Sequence, residues 1–516
     1  MADKKKPDPE SKKDDILEDA QDAFELAAER EADNRAEALD DLRFARLAEQ
    51  WPDAIRKQRE RDGRPCLTIN KLPAIIKQVT NDARQNKPSI KVHPADSAAD
   101  PKTAEIYNGL IRNIEVCSRA GMVYDTALDF AVTMGFGYFR VNTEYSCDDT
   151  FDLDLLLKRI ANPFSVYGDP YSTECDSSDW NSAFVTEMMT KAQFRRKYKG
   201  AEEVSWEADY SDLPEAWREG ERILVAEYFS REPVKKTVLL LSDQSVVAED
   251  VFAANKDAYD AIGVSVVSNR PIQSHKVTQR ILTGAEVLET NKWAGKFIPI
   301  IPVYGDEVNV EGKRHFRSLV RDAKDPARMF NFWRTASTEL VALAPKAPFI
   351  GPKGAFNTDA VKWATANSQS HAFIEYDGAE RPERQAFAGV PAGALQEAMN
   401  ASDDIKTVTG LYDASLGARS NETSGVAINA RNREGDISTF NFIDNLSRGI
   451  EHGARILIDL IPFVYTGQRI IRVLGPQNEV ATVPLNKPTT PIDAKGRPMP
   501  PDPMAGALSH VYDLSR

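Results

Sequence analysis

Six histidines, four cysteines and several adjacent carboxylates are the residues of this 516-residue chain whose types could do chemistry. The histidines (His93, His275, His315, His371, His452 and His510) are widely separated. No two stand four apart, so the helix-borne zinc-hydrolase pair is absent and each reads as a surface or structural side chain. Cys66, Cys117, Cys147 and Cys175 form no Cys-x-x-Cys pair, which leaves a zinc site of that kind unsupported and fits a reducing compartment. Asp148-Asp149 and Asp403-Asp404 place acids side by side; such pairs are normally solvated rather than metal-binding. ATP chemistry needs a glycine-rich turn ending in Gly-Lys-Ser/Thr after a strand. Neither Gly351-Pro352-Lys353-Gly354 nor Gly135-Phe136-Gly137 has that spacing. Val238–Leu241 followed by Ser242-Asp243 resembles a strand ending in a metal-binding acid, but without a phosphate loop it reads as a core strand and a turn. No Gly-x-Ser-x-Gly elbow occurs. No catalytic, cofactor-binding or metal residue is therefore assigned, and no cofactor is expected.

The elements that must carry these residues are bounded by composition. The chain has 65 Lys and Arg against 78 Asp and Glu, a net charge of −13, with 42% hydrophobic residues. That supports a real core and about two to four modules of ~100–200 residues. The acidic balance argues against wrapping DNA by neutralising phosphates. Residues 1–50 alone hold 16 acids and 9 bases. The basic start, Lys4–Lys6, has no apolar stretch behind it, so it is not a secretory signal. The best apolar run, Ile456–Tyr465, is broken by Asp459 and Pro462, and falls short of the ~20 residues of a membrane span. The other basic clusters, Arg56–Arg64 and Arg195–Lys199, read as solvated helix surface. Trp51, Trp180, Trp293, Trp333 and Trp363 read as core or interface anchors.

Periodicity predicts a mixed α+β chain. A charge-rich helix over Ile16–Trp51 reads as a solvated or partner-packed arm. Helices follow over Asn70–Asn86, from Asp100-Pro101 to about Cys117, and over Met122–Met134, the last stopped by Gly135. Strands are predicted at Ser89–His93, Phe136–Tyr145, Phe151–Leu157, Ala183–Met189, Arg222–Phe229 and Thr237–Val247. After a short helix near Asp250–Ile262, residues 264–311 read as a loop-rich β subdomain. A helical stretch runs on to Leu343, with Asp325-Pro326 as a start signal and Met329, Trp333, Ala336, Leu340 and Leu343 as one apolar stripe. Phe349-Ile350 and Phe373–Tyr376 carry strand signals. A helix near Ala392–Thr409 ends at Gly410. A long helix from about Ser424 to Leu460 contains Gly435, Gly449 and Gly453, which suggests a kink or close packing against another chain; Pro462 is its stop. Arg469–Leu474 reads as a strand. The last 41 residues hold 8 of 30 prolines and read as extended chain.

The order of these parts resembles the portal proteins of tailed bacteriophages, in the short-tailed podovirus branch of enteric bacteria. The resemblance runs through Gln50-Trp51-Pro52, Arg64-Pro65, Asn70, Asn81, Arg84, Asn86 and Pro88. It continues in Asn162–Pro170, Asp176, Asp179-Trp180, Val225–Phe229, Ile300–Gly305 and Asp322–Asn331. Its most specific pieces are Asn421–Ile428, Phe442–Leu446 and Asp459–Pro462. It covers about nine-tenths of the chain, in consistent order. It implies a ring of about twelve copies at one capsid vertex, the head-to-tail connector, threading double-stranded DNA during packaging and ejection. The implied plan is an N-terminal acidic helical arm (1–63), a wing (64–248 and 345–410), stem helices (250–263 and 312–343), a β-rich clip (264–311), a crown helix (411–475) and a Pro-rich C-terminal segment (476–516). Implied partners are the major capsid protein and scaffold, terminase, then a tail adaptor, with no membrane; the implied setting is the virion, and the host cytoplasm during assembly. Tyr512–Arg516 looks like the start of a further family element, so a longer C-terminal tube is absent here. Another virion component, a tail adaptor or scaffold, is the alternative class, disfavoured by length and by the β-rich 264–311 segment. A packaging enzyme lacks its phosphate loop. A conduit gains from an acidic wall that lets DNA slide.

Overall fold

The computed structural model describes residues 9–86, 88–94, 101–206, 222–242, 246–254, 256, 259–260, 263–343, 348–366, 369–384, 392–411, 440–466, 469–474 and 480–485. The described helices are α1 (Pro9–Arg46), α2 (Asp53–Arg61), α3 (Leu72–Gln85), α4 (Pro101–Cys117), α5 (Ala120–Met134), α6 (Lys191–Lys197), α7 (Glu249–Ala254), α8 (Lys324–Leu343), α9 (Ala360–Thr365), α10 (Ala392–Thr409) and α11 (Phe440–Val464). The strands are β1 (Phe136–Tyr145), β2 (Leu153–Arg159), β3 (Val166–Tyr167), β4 (Ser182–Thr190), β5 (Arg222–Leu241), β6 (Val246–Ala248), β7 (Val266–Leu282), β8 (Val287–Lys292), β9 (Ile300–Tyr304), β10 (Asp306–Val310), β11 (Lys313–Arg317), β12 (Phe349–Ile350), β13 (Glu383–Arg384), β14 (Arg469–Leu474) and β15 (Val480–Leu485). The chain is thus mixed helix and sheet. It divides into two compact units: Met1–Ala38, Thr80–Arg317 and Asn441–Arg516 form the first, Leu39–Val79 and Ser318–Phe440 the second. No described helix is long and apolar enough to cross a membrane.

Two antiparallel sheets organise the first unit. One has the order β2-β1-β9, with Phe139 opposite Arg159 on one side and Ile301 on the other. Helix α5 leads into it through Gly135, whose φ of 98° is the left-handed stop that sequence predicts. The second sheet has the order β3-β4-β5-β7-β8, with β6 on the far end of β5. Arg140 of β1 clamps the two sheets together. Its guanidinium donates two 2.7 Å hydrogen bonds to the Glu227 carboxylate on β5, the planar fork geometry that arginine alone provides.

Several expectations are corrected here. The N-terminal helix is not a solvated arm: in the first unit Ala20, Phe24 and Ala27 are buried, and Phe24 packs against Tyr167, Phe184 and Trp206. Arg35, buried, donates to the backbone carbonyls of Phe164 and Val166 and pairs with Glu31. Alanine carries much of the buried stripe, and its weak hydropathy hides it in the sequence. Nor is 264–311 a separate β subdomain: β8 pairs with β7 inside it, but β7 is joined to β5 and β9 to β1, both outside it. Segment 312–343 opens with a strand, not a helix. Glu311 and Gly312 both have positive φ (52° and 82°), the two-residue hairpin turn that joins β10 to β11. In 250–263 the described helix is α7, six residues that belong to the first unit. Of 64–248, residues to Val79 belong to the second unit, with 345–410. Ser89–His93 and Phe373–Tyr376 are irregular rather than strands, since neither finds a partner strand.

Two of the glycines of α11 serve close packing within the chain. A Cβ on Gly449 would lie 3.2 Å from the Pro302 carbonyl oxygen, and one on Gly453 3.3 Å from the Phe139 ring. The helix therefore beds Phe442, Leu446, Ile450 and Leu457 onto the β2-β1-β9 sheet. Pro462 falls in the last turn, and the helix runs two residues beyond it to Val464. The N-terminal part of the predicted helix, including Gly435, and the Asn421–Ile428 motif lie outside the described residues, as do Tyr512–Arg516.

His452 sits on the buried face of α11, edge-on to Phe297, and its Nδ1 has no hydrogen-bond partner among the described residues. Burial pushes its pKa down from 6.5 to about 4 against the opposing pull of Asp176. A depressed histidine pKa means that the unfolded chain takes up the proton first. The neutral ring's contribution is complete above pH 6.5 and is lost as pH falls towards 4, on the order of 3 kcal/mol. Urea unfolding at pH 4.5 and 7.5 checks this: His452→Phe should reduce the difference in midpoint seen for the parent chain, and an unchanged difference would place the acid sensitivity elsewhere.

Candidate functional site

In the second unit, α8 is held by polar contacts on its inner face. Asn331 accepts a hydrogen bond from the Ile69 N–H (2.8 Å) and donates to Gln50 Oε1 (2.5 Å). Thr335 Oγ1 accepts from the Leu67 N–H (3.2 Å). Gln50 in turn donates to Asn70, which donates to the Ala45 carbonyl. An extended run, Leu67–Asn70, thus satisfies its backbone on helix side chains where no strand partner exists. The buried positions of α8 include Ala327, Phe330, Asn331, Thr335 and Ser337.

Charge fixes both ends of this helix. Asp41, fully buried, accepts from Ser318 Oγ (2.7 Å) and pairs with Arg321 (2.9 Å) and Lys324 (2.5 Å). Glu339 near the other end takes Arg64 (2.6 Å) and Arg59 (2.8 Å). The Arg64 hydrogen bond, helped by Arg59, holds the Glu339 carboxyl below the usual carboxylate range. Two of the basic residues in Arg56–Arg64 are therefore anchors for α8. The other cluster, Arg195–Lys199, ends the capped helix α6, where Arg195 pairs with Glu203.

The apolar stripe read from the sequence points the other way. Met329 is 46% exposed, Phe332 47% and Leu340 37%, with Trp333 and Ala336 only half-buried. Residues 329, 332, 336 and 340 follow at steps of three, four and four, one continuous helix face. Helix α10 packs along α8 through Ala394, Ala398, Ala401 and Ile405, and leaves Leu395 and Met399 exposed. Phe330 is buried, yet a helix that seats Asn331 and Thr335 inward and leaves Met329, Phe332 and Leu340 outward presents an apolar face unusual for an isolated chain. Sequence located the stripe but assigned it to the core. The signal that was missed is the polar pair Asn331 and Thr335, four apart on the opposite side, which only finds its purpose once Gln50 and the 67–70 run lie beside it.

The residues singled out for chemistry stay apart. His93 is exposed, His371 bonds Thr365 (2.9 Å), His275 lies 3.1 Å from Arg231, and His510 is outside the described residues. All four cysteines are free. Asp148 and Asp149 are exposed and Asp403 pairs with Lys406. Among the described residues no three His, Cys, Asp or Glu side chains gather as a metal site.

Comparison with known proteins gives two findings. The family model for the phage P22-like portal protein matches residues 21–514. A curated relative, the "Portal protein" of Acyrthosiphon pisum secondary endosymbiont phage 1, is 25% identical over 483 residues, 86% of this chain. The chain spans 65% of that relative's length.

Proposed function

We propose that this chain, which belongs to the phage P22-like portal protein family, is the subunit of a ring-shaped DNA channel at one capsid vertex. The observation that carries this reading is the outward apolar face of α8. A closed ring repeats one heterologous contact around its axis, so a face hidden against a neighbour is hidden in every copy. Burying each of Met329, Phe332 and Leu340 in such a contact would contribute about 1.5–3 kcal/mol.

In this reading the packed pair α8 and α10 forms the stem, and the chain between them, 344–391, forms the clip at the ring's outer end. This replaces the assignment of stem to 250–263 and clip to 264–311, whose strands belong to the first unit. That unit serves as the wing, α11 included, and 411–439 is assigned to the crown. About twelve copies close the ring. Double-stranded DNA passes through without sequence reading, on packaging and again on ejection. The ring docks terminase first and a tail adaptor later, contacts the major capsid protein and scaffold, and catalyses nothing. It resides in the virion after assembly in the host cytoplasm, in a phage of the short-tailed podovirus branch infecting enteric bacteria. The chain's acid excess suits a wall along which DNA must slide without sticking.

Electron microscopy of the purified chain tests the reading. Closed rings with an open centre and about twelvefold symmetry are expected; a chain that stays monomeric at tens of micromolar in the presence of its scaffold would overturn it.

A further inference from the structure

Two charged faces of the first unit have no described partner of opposite sign. The first is the outer face of α1. From Asp15 to Glu29 the sequence contains six acidic residues and no lysine or arginine. Asp15, Glu18, Asp22, Glu25 and Glu29 follow at steps of three and four, with Asp19 beside them, and all six are exposed. The helix cannot turn them inward, because Ala20, Phe24 and Ala27 pin its opposite side into the core.

The second is a ribbon made by the distal halves of β5 and β7. Strand β4 pairs with β5 only as far as Ser230, and β8 pairs with β7 only from Thr278. Beyond those points β5 and β7 run on together, from Glu232 opposite Lys276 to Leu241 opposite Val266. The ribbon carries Lys235, Lys236, Arg270 and Lys276; the register puts Lys236, Arg270 and Lys276 on one face, with Glu232 opposite Lys276, and Lys235 on the other face. All four are exposed, and none pairs with a described carboxylate. With three bases against one acid, that face is net basic in a chain of net charge −13. The two faces also match in length. From the Lys276 rung to the Arg270 rung is six residues, about 20 Å of strand. From Asp15 to Glu29 is fourteen helical rises, about 21 Å.

We propose that the acidic outer face of α1 in one subunit docks on the basic β5–β7 ribbon of the next copy. The contact is head-to-tail, the kind that a ring of identical subunits repeats around its axis. It deepens the ring reading above and rests on it. Opposite fields also steer the encounter and reject the reversed approach, in which like charges meet.

Reciprocal charge reversal on the full chain tests this, with assembly followed by light scattering and microscopy. One variant carries Glu18→Lys, Asp22→Lys and Glu25→Lys; the other carries Lys236→Glu, Arg270→Glu and Lys276→Glu, which share one face of the ribbon. Each alone should need about tenfold more protein to assemble than the parent chain, since three attractive contacts become repulsive. Mixed in equal amounts, the two should recover assembly close to the parent's, because every contact in an alternating ring is again between opposite charges. Recovery also excludes misfolding as the cause of the single defects. Parent rings that form while both variants assemble equally well overturn the face pairing and leave the ring reading standing. Parent chain that forms no ring overturns the ring reading itself. Loss of binding to a short DNA duplex in the ribbon variant, with unchanged assembly, would assign the ribbon to nucleic acid and overturn the proposal.

Discussion

The triple variant Met329→Glu, Phe332→Glu and Leu340→Glu is expected to be a folded monomer. Within one subunit these side chains are substantially exposed, so acidic replacements meet water and leave the inner contacts of α8 untouched. Surface changes of this kind normally move stability by about half a kcal/mol or less. Between subunits the same changes remove three apolar anchors and bring unpaired carboxylates into a dry contact. A penalty of at least 4 kcal/mol, about a thousandfold in association, follows from the lost burial and the desolvation of charge. Size-exclusion chromatography with light scattering reads the oligomer, and circular dichroism with a melting curve reads the fold. Rings that persist would show that this face is not the subunit contact. A collapsed melting temperature would show that it is core.

Asp41→Ala is expected to act in the opposite manner, through the fold. The carboxylate is fully buried and receives Ser318, Arg321 and Lys324. Removing it takes the buried carboxylate from Arg321 and leaves Lys324 with Asp40 as its described counter-charge; breaking a buried pair in this way costs about 3–5 kcal/mol. The second unit should unfold at markedly lower urea concentration, and proteolysis should cut first within 318–343. Assembly should fail as a consequence, because α8 loses the anchor of its first turn. Stability within 1 kcal/mol of the parent chain would mean that water or other groups take over the carboxylate's role.

Local structure was legible in the sequence where punctuation was strong. Gly135 ends α5 and Phe136–Tyr145 is β1, because a left-handed stop followed by alternating residues admits few alternatives. Asp325-Pro326 marked the first turn of α8, which begins at Lys324. Long-range partnership was not legible. Arg222–Phe229 and Thr237–Val247 read as two strands, yet β5 is continuous from Arg222 to Leu241. Pro233 lies beyond the last residue paired by β4, where one edge is open and a missing N–H breaks no ladder bond. Leu240, expected in a core strand, is 39% exposed at the far end of the ribbon. The candidate surface shows the same limit. Helical spacing placed Met329, Trp333, Ala336 and Leu340 on one face, but periodicity says only that a face is apolar. Whether the chain or another molecule covers it depends on Gln50, Leu67 and Ile69, some 260–280 residues away. The α1 core was hidden for a different reason, since its buried stripe of Ala20, Phe24 and Ala27 is small-residue packing inside a charged helix.

The face of α8 can be probed directly by oxidative footprinting of the assembled and monomeric fractions, with sulfoxide at Met329 read by mass spectrometry. Met122, 57% exposed on α5, provides an internal reference outside the proposed contact. If the stripe is the contact between copies, Met329 should oxidise about tenfold more slowly in the ring than in the monomer, while Met122 is unchanged. Equal oxidation of Met329 in the two fractions would contradict the account.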